Sequence, residues 1–278
     1  MARRTSDGQI LIAVIGVTGA GKTTFISKAS GRNDLEIGHD IDSCTRDVIP
    51  VTFNLDKQKV TLIDTPGFDD SDKSDSDILG LVASYMAKTY ENGILLTGVI
   101  FLQPISQPRL QGSEMKRTRV YKKLLGEDAY ERVVIATTMW SHVAEKEATS
   151  RQNQRKNRPD VWGDMVAKGA KVVRHDNNRP SALEIVRMLS KFTSPVELQV
   201  QKELIETHGR IGLTSAGKQL DADLSETIMK LKEEINDLRQ ERTETASEIK
   251  ALNNKIIKYE KEQVQLENST ACGDCTIM

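Results

Sequence analysis

Gly16-Val17-Thr18-Gly19-Ala20-Gly21-Lys22-Thr23 sets glycines, a lysine and a threonine at the spacing G-x-x-x-x-G-K-[ST]. Such glycines let successive backbone N–H groups curl around a polyphosphate, and a following helix N-terminus adds partial positive charge. Thr18, Gly19, Ala20, Gly21 and Thr24 are therefore expected to line the phosphates. Lys22 is placed to reach the outer ones, and Thr23 to ligate Mg²⁺. A second group, Asp64-Thr65-Pro66-Gly67, follows an apolar run. This D-x-x-G arrangement puts Asp64 where it holds Mg²⁺, usually through water, and the Gly67 N–H where a γ-phosphate is sensed. Between the two lies the polar stretch Asp40-Ile41-Asp42-Ser43-Cys44-Thr45. Thr45 is the candidate that closes over Mg²⁺ and γ-phosphate, with Ser43 and Thr52 as competitors. The expected metal ligands are thus Thr23, Thr45 and Asp64. Lys22, Thr45 and Gly67 are assigned to catalysis.

Those residues need strands behind them and helices after them. Ile10–Ile15 is a short continuous apolar run of the kind found in buried parallel strands, and 24–29 can open a helix. Further strands are expected at 47–55, 59–64, 98–102, 132–137 and 170–174, separated by mixed, helix-like segments. The first two flank Asp56-Lys57-Gln58-Lys59, which reads as a hairpin. The remaining spacing suits strand–helix–strand crossovers, hence an α/β fold with a doubly wound, mainly parallel sheet. This domain is expected over residues 8–195, a helical connector over 196–223, a coiled coil over 224–268 and a tail over 269–278.

The coiled-coil expectation rests on a 3-4 apolar spacing: Ile228, Ile235, Ile249 and Ile256 at heptad position a, Leu224, Leu231, Leu238, Leu252 and Leu266 at d. Ile at a with Leu at d favours a parallel two-stranded coil, with Arg242 and Thr245 as a polar layer. A helix hairpin folding back on the globular domain fits the same periodicity.

A formal net charge of −1 over 278 residues gives no global field that favours nucleic acid. Three cysteines, Cys44, Cys272 and Cys275, make no disulfide framework and suit a reducing compartment. The basic N-terminus lacks the apolar stretch of a secretory signal, and Ile94–Leu102 is too short to span a bilayer. The sequence closes on Cys275-Thr276-Ile277-Met278, a C-a-a-X box that expects farnesylation of Cys275. Cys272 is available for a second lipid, which matters because one chain anchors only marginally. Cys272 and Cys275 also form a lone C-x-x-C, a weaker zinc or redox reading.

Gly16–Thr23, Ser43-Cys44-Thr45 and Asp64–Phe68 resemble the septin-like GTPases, in particular the immunity-associated (AIG/GIMAP-type) branch and its fungal members with a C-terminal coiled coil. The resemblance extends through Gly98-Val99-Ile100-Phe101-Leu102-Gln103-Pro104-Ile105-Ser106-Gln107-Pro108-Arg109 and covers residues 8 to about 195. It implies GTP or GDP as ligand with Mg²⁺, and a homodimer formed across the nucleotide faces. It also implies that Arg109 reaches the partner's phosphates during hydrolysis. Phe68 stands where Ras-like enzymes carry a water-positioning glutamine, so slow intrinsic turnover is expected.

The pattern departs at the base. Guanine is normally read by an aspartate in an N/T-K-x-D motif, yet this chain has Thr137-Thr138-Met139-Trp140-Ser141-His142. Trp140 or Ser141 takes the aspartate's place, depending on register, which weakens guanine over adenine preference. The last base-side element is expected at Asp176 and Asn177, within one residue. A helix-capping turn is the plainer reading there.

Together these give a membrane-anchored GTPase switch on the cytoplasmic face of a membrane, with a cytosolic pool, pairing through its globular domain and coil and acting on unidentified effectors. The rival is a membrane scaffold with a structural, non-hydrolysing nucleotide site. An ATPase is a third reading.

Overall fold

The computed structural model describes residues 9–32, 34, 48–67, 74–91, 95–107, 112–240 and 246–270. Thr45, Phe68, Arg109, Arg242, Thr245, Cys272 and Cys275 lie outside them.

In chain order the elements are β1 (Ile10–Gly16), α1 (Lys22–Ser30), β2 (Ile49–Leu55), β3 (Gln58–Asp64), α2 (Asp75–Glu91), β4 (Gly98–Pro104) and α3 (Gly112–Leu125). There follow β5 (Val133–Thr138), α4 (Glu145–Asn157), α5 (Asp164–Ala167), β6 (Lys171–Arg174), α6 (Arg179–Ser190), α7 (Gln199–Glu206), α8 (Ser215–Gln240) and α9 (Ala246–Asn268). Among the described residues one six-stranded sheet runs in the order β2-β3-β1-β4-β5-β6. Only β2 is antiparallel to its neighbour. The β2–β3 hairpin turns on Asp56 and Lys57, whose φ angles of 50° and 68° suit a two-residue primed turn.

β1 and β4 are buried at every position, which explains their unbroken apolar sequences. Alternate residues feed opposite faces. Leu11, Ala13, Ile15, Val99 and Phe101 meet α2 and α3 through Ile78, Val82, Tyr121 and Leu124. Ile10, Ile12, Val14, Ile100 and Leu102 meet α1 and α6 through Phe25, Ile26, Ile185 and Leu189. Both faces are covered, as a doubly wound sheet requires.

The expected connector does not simply link. Leu198, Val200, Leu204, Ile211 and Leu220 join the same core as α2 and α3. Beyond them α8 and α9 close on each other within one chain, burying Ile228, Ile235, Leu252 and Ile256. Gln263 Nε2 donates to Asp221 Oδ1 (2.8 Å), while Lys232 pairs with Glu260 (3.1 Å), so the two helices run antiparallel. The seam assigned to a parallel partner is thus covered by the chain's own last helix. The physical reason is that closing a short link costs far less entropy than immobilising a second molecule. The hairpin also docks on the sheet domain: buried Glu262 accepts from Ser76 N (3.1 Å) and Ser76 Oγ (3.3 Å) in the first turn of α2. Among the described residues no helix is long and apolar enough to cross a membrane.

Candidate nucleotide-binding site

The carboxyl ends of β1, β3, β5 and β6 share one edge of the sheet, the crevice where open α/β sheets place ligands. At the end of β1 the chain makes a glycine-rich loop that leads directly into α1. Gly21, the N-cap of α1, has φ 90°, a conformation glycine adopts without a Cβ penalty. Lys22 is buried and turned into the loop, its Nζ donating to Gly16 O (3.2 Å) and Val17 O (3.0 Å).

The loop meets the end of β3 at two points. Thr23 Oγ1 donates to Asp64 Oδ2 at 2.7 Å. Thr18 Oγ1 donates to Gly67 O at 3.1 Å. A Cβ at Gly67 would sit 2.6 Å from Lys22 Nζ and would collide with the Thr18 amide, so only glycine fits this approach. Asp64 is 3 % exposed, and burial raises its carboxyl above the ordinary value, partly offset by the Thr23 hydroxyl and Lys22. Its Oδ1 makes no hydrogen bond to a described residue. A buried, half-satisfied carboxylate beside a threonine hydroxyl is a hard-oxygen pair that suits Mg²⁺, which takes few protein ligands and completes its shell with water and phosphate.

The other end of the crevice is a cleft of about 410 Å³. Ala20, Gly21 and Thr24 form its phosphate side; Met139, Ser141 and Glu145 one wall; Arg174, Asp176 and Asn177 the other. Thr138 Oγ1 donates to Ala20 O (3.0 Å), tying the end of β5 to the loop. Met139 takes φ 61° and reaches toward Gly21. The two residues after this kink sit differently. Trp140 is buried, its indole N–H donating to Thr137 O at 3.1 Å, and the Arg174 guanidinium lies 4.4 Å over its ring. Ser141 is exposed on the cleft wall.

On the facing turn Asn178, not its predecessors, caps α6, accepting from Ser181 N at 2.9 Å. Asp176 and Asn177 remain at the cleft, Asn177 with φ 53°. His175 is buried, with Ser181 Oγ 2.8 Å from its Nδ1 and the Phe25 ring edge-on at 5.1 Å. Burial lowers its pKa to about 4.

The structure therefore brings Thr18, Gly19, Ala20, Gly21, Lys22, Thr23, Asp64 and Gly67 into one phosphate end, with Thr24, Ser141, Asp176 and Asn177 along the cleft. Sequence reasoning missed Met139, Glu145, Arg174 and His175. Arg174 and His175 had a signal, since they directly follow an expected strand. Glu145 had none, because its place depends on how the 139–144 segment turns.

Comparison with known proteins agrees with this geometry. The family model described as 50S ribosome-binding GTPase matches residues 11–135. GTPase Der of Chlorobium phaeovibrioides is 26% identical over 151 residues, which is 54% of this chain and 32% of that protein. The tRNA modification GTPase MnmE of Cereibacter sphaeroides is 39% identical over 71 residues, 26% of this chain and 16% of that one. The chain spans about a third or less of the length of these curated relatives. Toc33 of Arabidopsis thaliana, solved with GDP and Mg²⁺, superposes with TM-score 0.55 at 11% identity, covering 67% of this chain and 85% of that one. A dimerisation-deficient arginine-to-alanine variant of Toc33 superposes with TM-score 0.53 at 11% identity, covering 68% and 85%. At such identities the structural likeness concerns the fold.

Proposed function

We propose that this chain, which carries a P-loop GTPase domain, binds GTP with Mg²⁺ and hydrolyses it slowly as a nucleotide-state switch. One observation carries the reading: the Thr23 hydroxyl and the half-satisfied, buried Asp64 meet at 2.7 Å directly beside the buried Lys22. A purely structural loop would have no reason to retain a carboxylate oxygen buried without a partner. Lys22 would hold the outer phosphates, Thr23 and Asp64 the metal. When bound, Mg²⁺ neutralises charge that develops on the phosphate oxygens. Gly67 brings its backbone against Thr18 and Lys22, so a ligand seated there must displace it or bond its N–H.

Hydrolysis would be helped in trans. Phe68 offers no hydrogen bond to a water, and Arg109 comes five residues after β4 in the sequence. An added guanidinium raises turnover by about 10³–10⁵ in related phosphoryl-transfer systems. In Toc33 an arginine-to-alanine variant is dimerisation deficient, which supports an arginine taking part in pairing. In this reading two domains pair through their nucleotide faces, and Thr45 closes over the metal. Lipids on Cys275 and Cys272 hold the chain at the cytoplasmic face of a membrane.

The test releases nucleotide from purified protein by denaturation, identifies it, and measures GTP and ATP turnover against protein concentration. Bound GDP and a GTPase rate per subunit that rises with concentration support the switch. Intact GTP without turnover supports the scaffold, and an ATP-selective rate refutes the guanine reading. Unchanged turnover in Arg109→Ala removes that residue from catalysis. Unchanged membrane fractionation of Cys275→Ser in eukaryotic cells removes the anchor.

A further inference from the structure

The base cleft lacks the aspartate that would read guanine, yet it is not short of carboxylate. Guanine presents O6 as acceptor and N1–H and its 2-amino group as donors, whereas adenine inverts this pattern. A discriminating wall needs an acceptor with at least two open lone pairs. Ser141 supplies one hydroxyl, and the only polar atom of Trp140 is committed to Thr137. Among the described residues lining the cleft, the carboxylates are Glu145 and Asp176.

Arg174 holds both. Its Nη1 donates to Glu145 Oε1 at 2.7 Å and Oε2 at 2.8 Å, and its Nε donates to Asp176 Oδ1. The guanidinium is itself fixed by stacking on Trp140. The two acids are held differently. Asp176 bonds within its own turn, two residues away, and Ser181 Oγ pins that turn by accepting from Asp176 N at 3.1 Å. Glu145 opens α4, four residues past Ser141 on the same connection, and its bond spans the cleft from β5–α4 to β6. An ionised carboxylate has about four lone-pair sites, and this pair uses two. Glu145 thus keeps two for the cleft.

Magnitudes separate a structural role from a reading one. Side chains 41% and 67% exposed form a salt bridge worth about 0–1 kcal/mol to stability. A positioned carboxylate that loses its base partners changes discrimination by about a hundredfold or more. We infer that Glu145, oriented by Arg174, is the specificity-determining residue of the cleft, accepting from the N1–H and 2-amino group of a guanine base where the usual aspartate is absent. This rests on the proposal that the chain takes a guanine nucleotide.

The test is competition of GDP, XDP and ADP against a fluorescent GDP analogue on the full chain. Wild type is expected to prefer GDP over both XDP and ADP. Glu145→Gln should weaken GDP by about tenfold to a hundredfold and tighten XDP, because a carboxamide N–H₂ matches the xanthine carbonyl at C2, while ADP stays unchanged. A merely structural loss cannot produce that gain. Adding Ser141→Asp to Glu145→Gln should restore GDP binding and reject XDP again. Arg174→Lys, which keeps the charge but not the fixed fork, should shrink the GDP-to-XDP ratio with an unshifted melting temperature. An unchanged GDP-to-XDP ratio in Glu145→Gln overturns the inference, as does an XDP switch produced by Asp176→Asn instead. A wild type indifferent to GDP and ADP overturns the guanine proposal beneath it.

Discussion

His175 offers a quantitative test of how the base-side turn is anchored. Its ring is 4 % exposed, packed edge-on against Phe25 of α1, with Nδ1 at Ser181 Oγ and a buried Nε2 that has no hydrogen-bond partner among the described residues. Burial dominates and pulls the pKa from 6.5 to about 4; Asp176 raises it and Lys28 lowers it further. The folded chain therefore holds a neutral imidazole where the unfolded chain holds a cation. With a depressed folded pKa, the unfolded state binds more protons through this window, so stability falls as pH drops from about 6.5 to about 4. Integration gives a loss of about 2 kcal/mol near pH 5 and about 3 kcal/mol near pH 4 from this one group. Other carboxylates titrate in the same range, so the measured quantity is a difference. The unfolding free energy of wild type should fall relative to that of His175→Phe as pH drops, by the amount above, because phenylalanine carries no proton. The assay is equilibrium urea unfolding at half-unit steps between about pH 4 and pH 7. Parallel pH profiles for the two proteins, or an NMR titration of His175 near its ordinary pKa, would refute the reasoning.

Protonation of Asp64 should compete with metal: because burial raises its carboxyl, Mg²⁺-dependent tightening of GDP binding should begin to fade above the ordinary carboxylate range. Isothermal titration at stepped pH checks this, and Asp64→Asn should show no Mg²⁺ dependence at any pH. Glu114 and Arg155, each 2% exposed, form a buried ion pair at 2.7 Å, so Arg155→Met should cost about 3–5 kcal/mol in urea unfolding. The double change Glu114→Leu with Arg155→Met should recover most of that loss; a double variant as weak as the single one contradicts the electrostatic account. The α8–α9 seam is filled within one chain, so the nucleotide-free protein should sediment as a monomer. Ile256→Ala should lower its stability by about 2–4 kcal/mol without changing its mass. A dimer independent of concentration would show that the seam belongs to two chains.

The sequence by itself determined the phosphate end and the sheet behind it. Gly16–Thr23 and Asp64–Gly67 were legible because backbone N–H geometry and metal ligation constrain residue type at fixed local spacing. The strands at β1, β4 and β5 were legible because burial on both faces leaves an unbroken apolar run. Two matters needed the tertiary structure. Heptads at 228–256 satisfy an intermolecular coil and an intramolecular hairpin equally, since periodicity records that a face is buried and not by what. Only the antiparallel pairings of Asp221 with Gln263 and Lys232 with Glu260 decided for the hairpin. The base cleft is the second case. The turn of Met139 into positive φ buried Trp140 and left Ser141 exposed on the cleft, and Glu145 met Arg174 across 29 residues of sequence. A carboxylate supplied from another turn leaves no local motif, because the contact exists only once two strand ends are brought side by side.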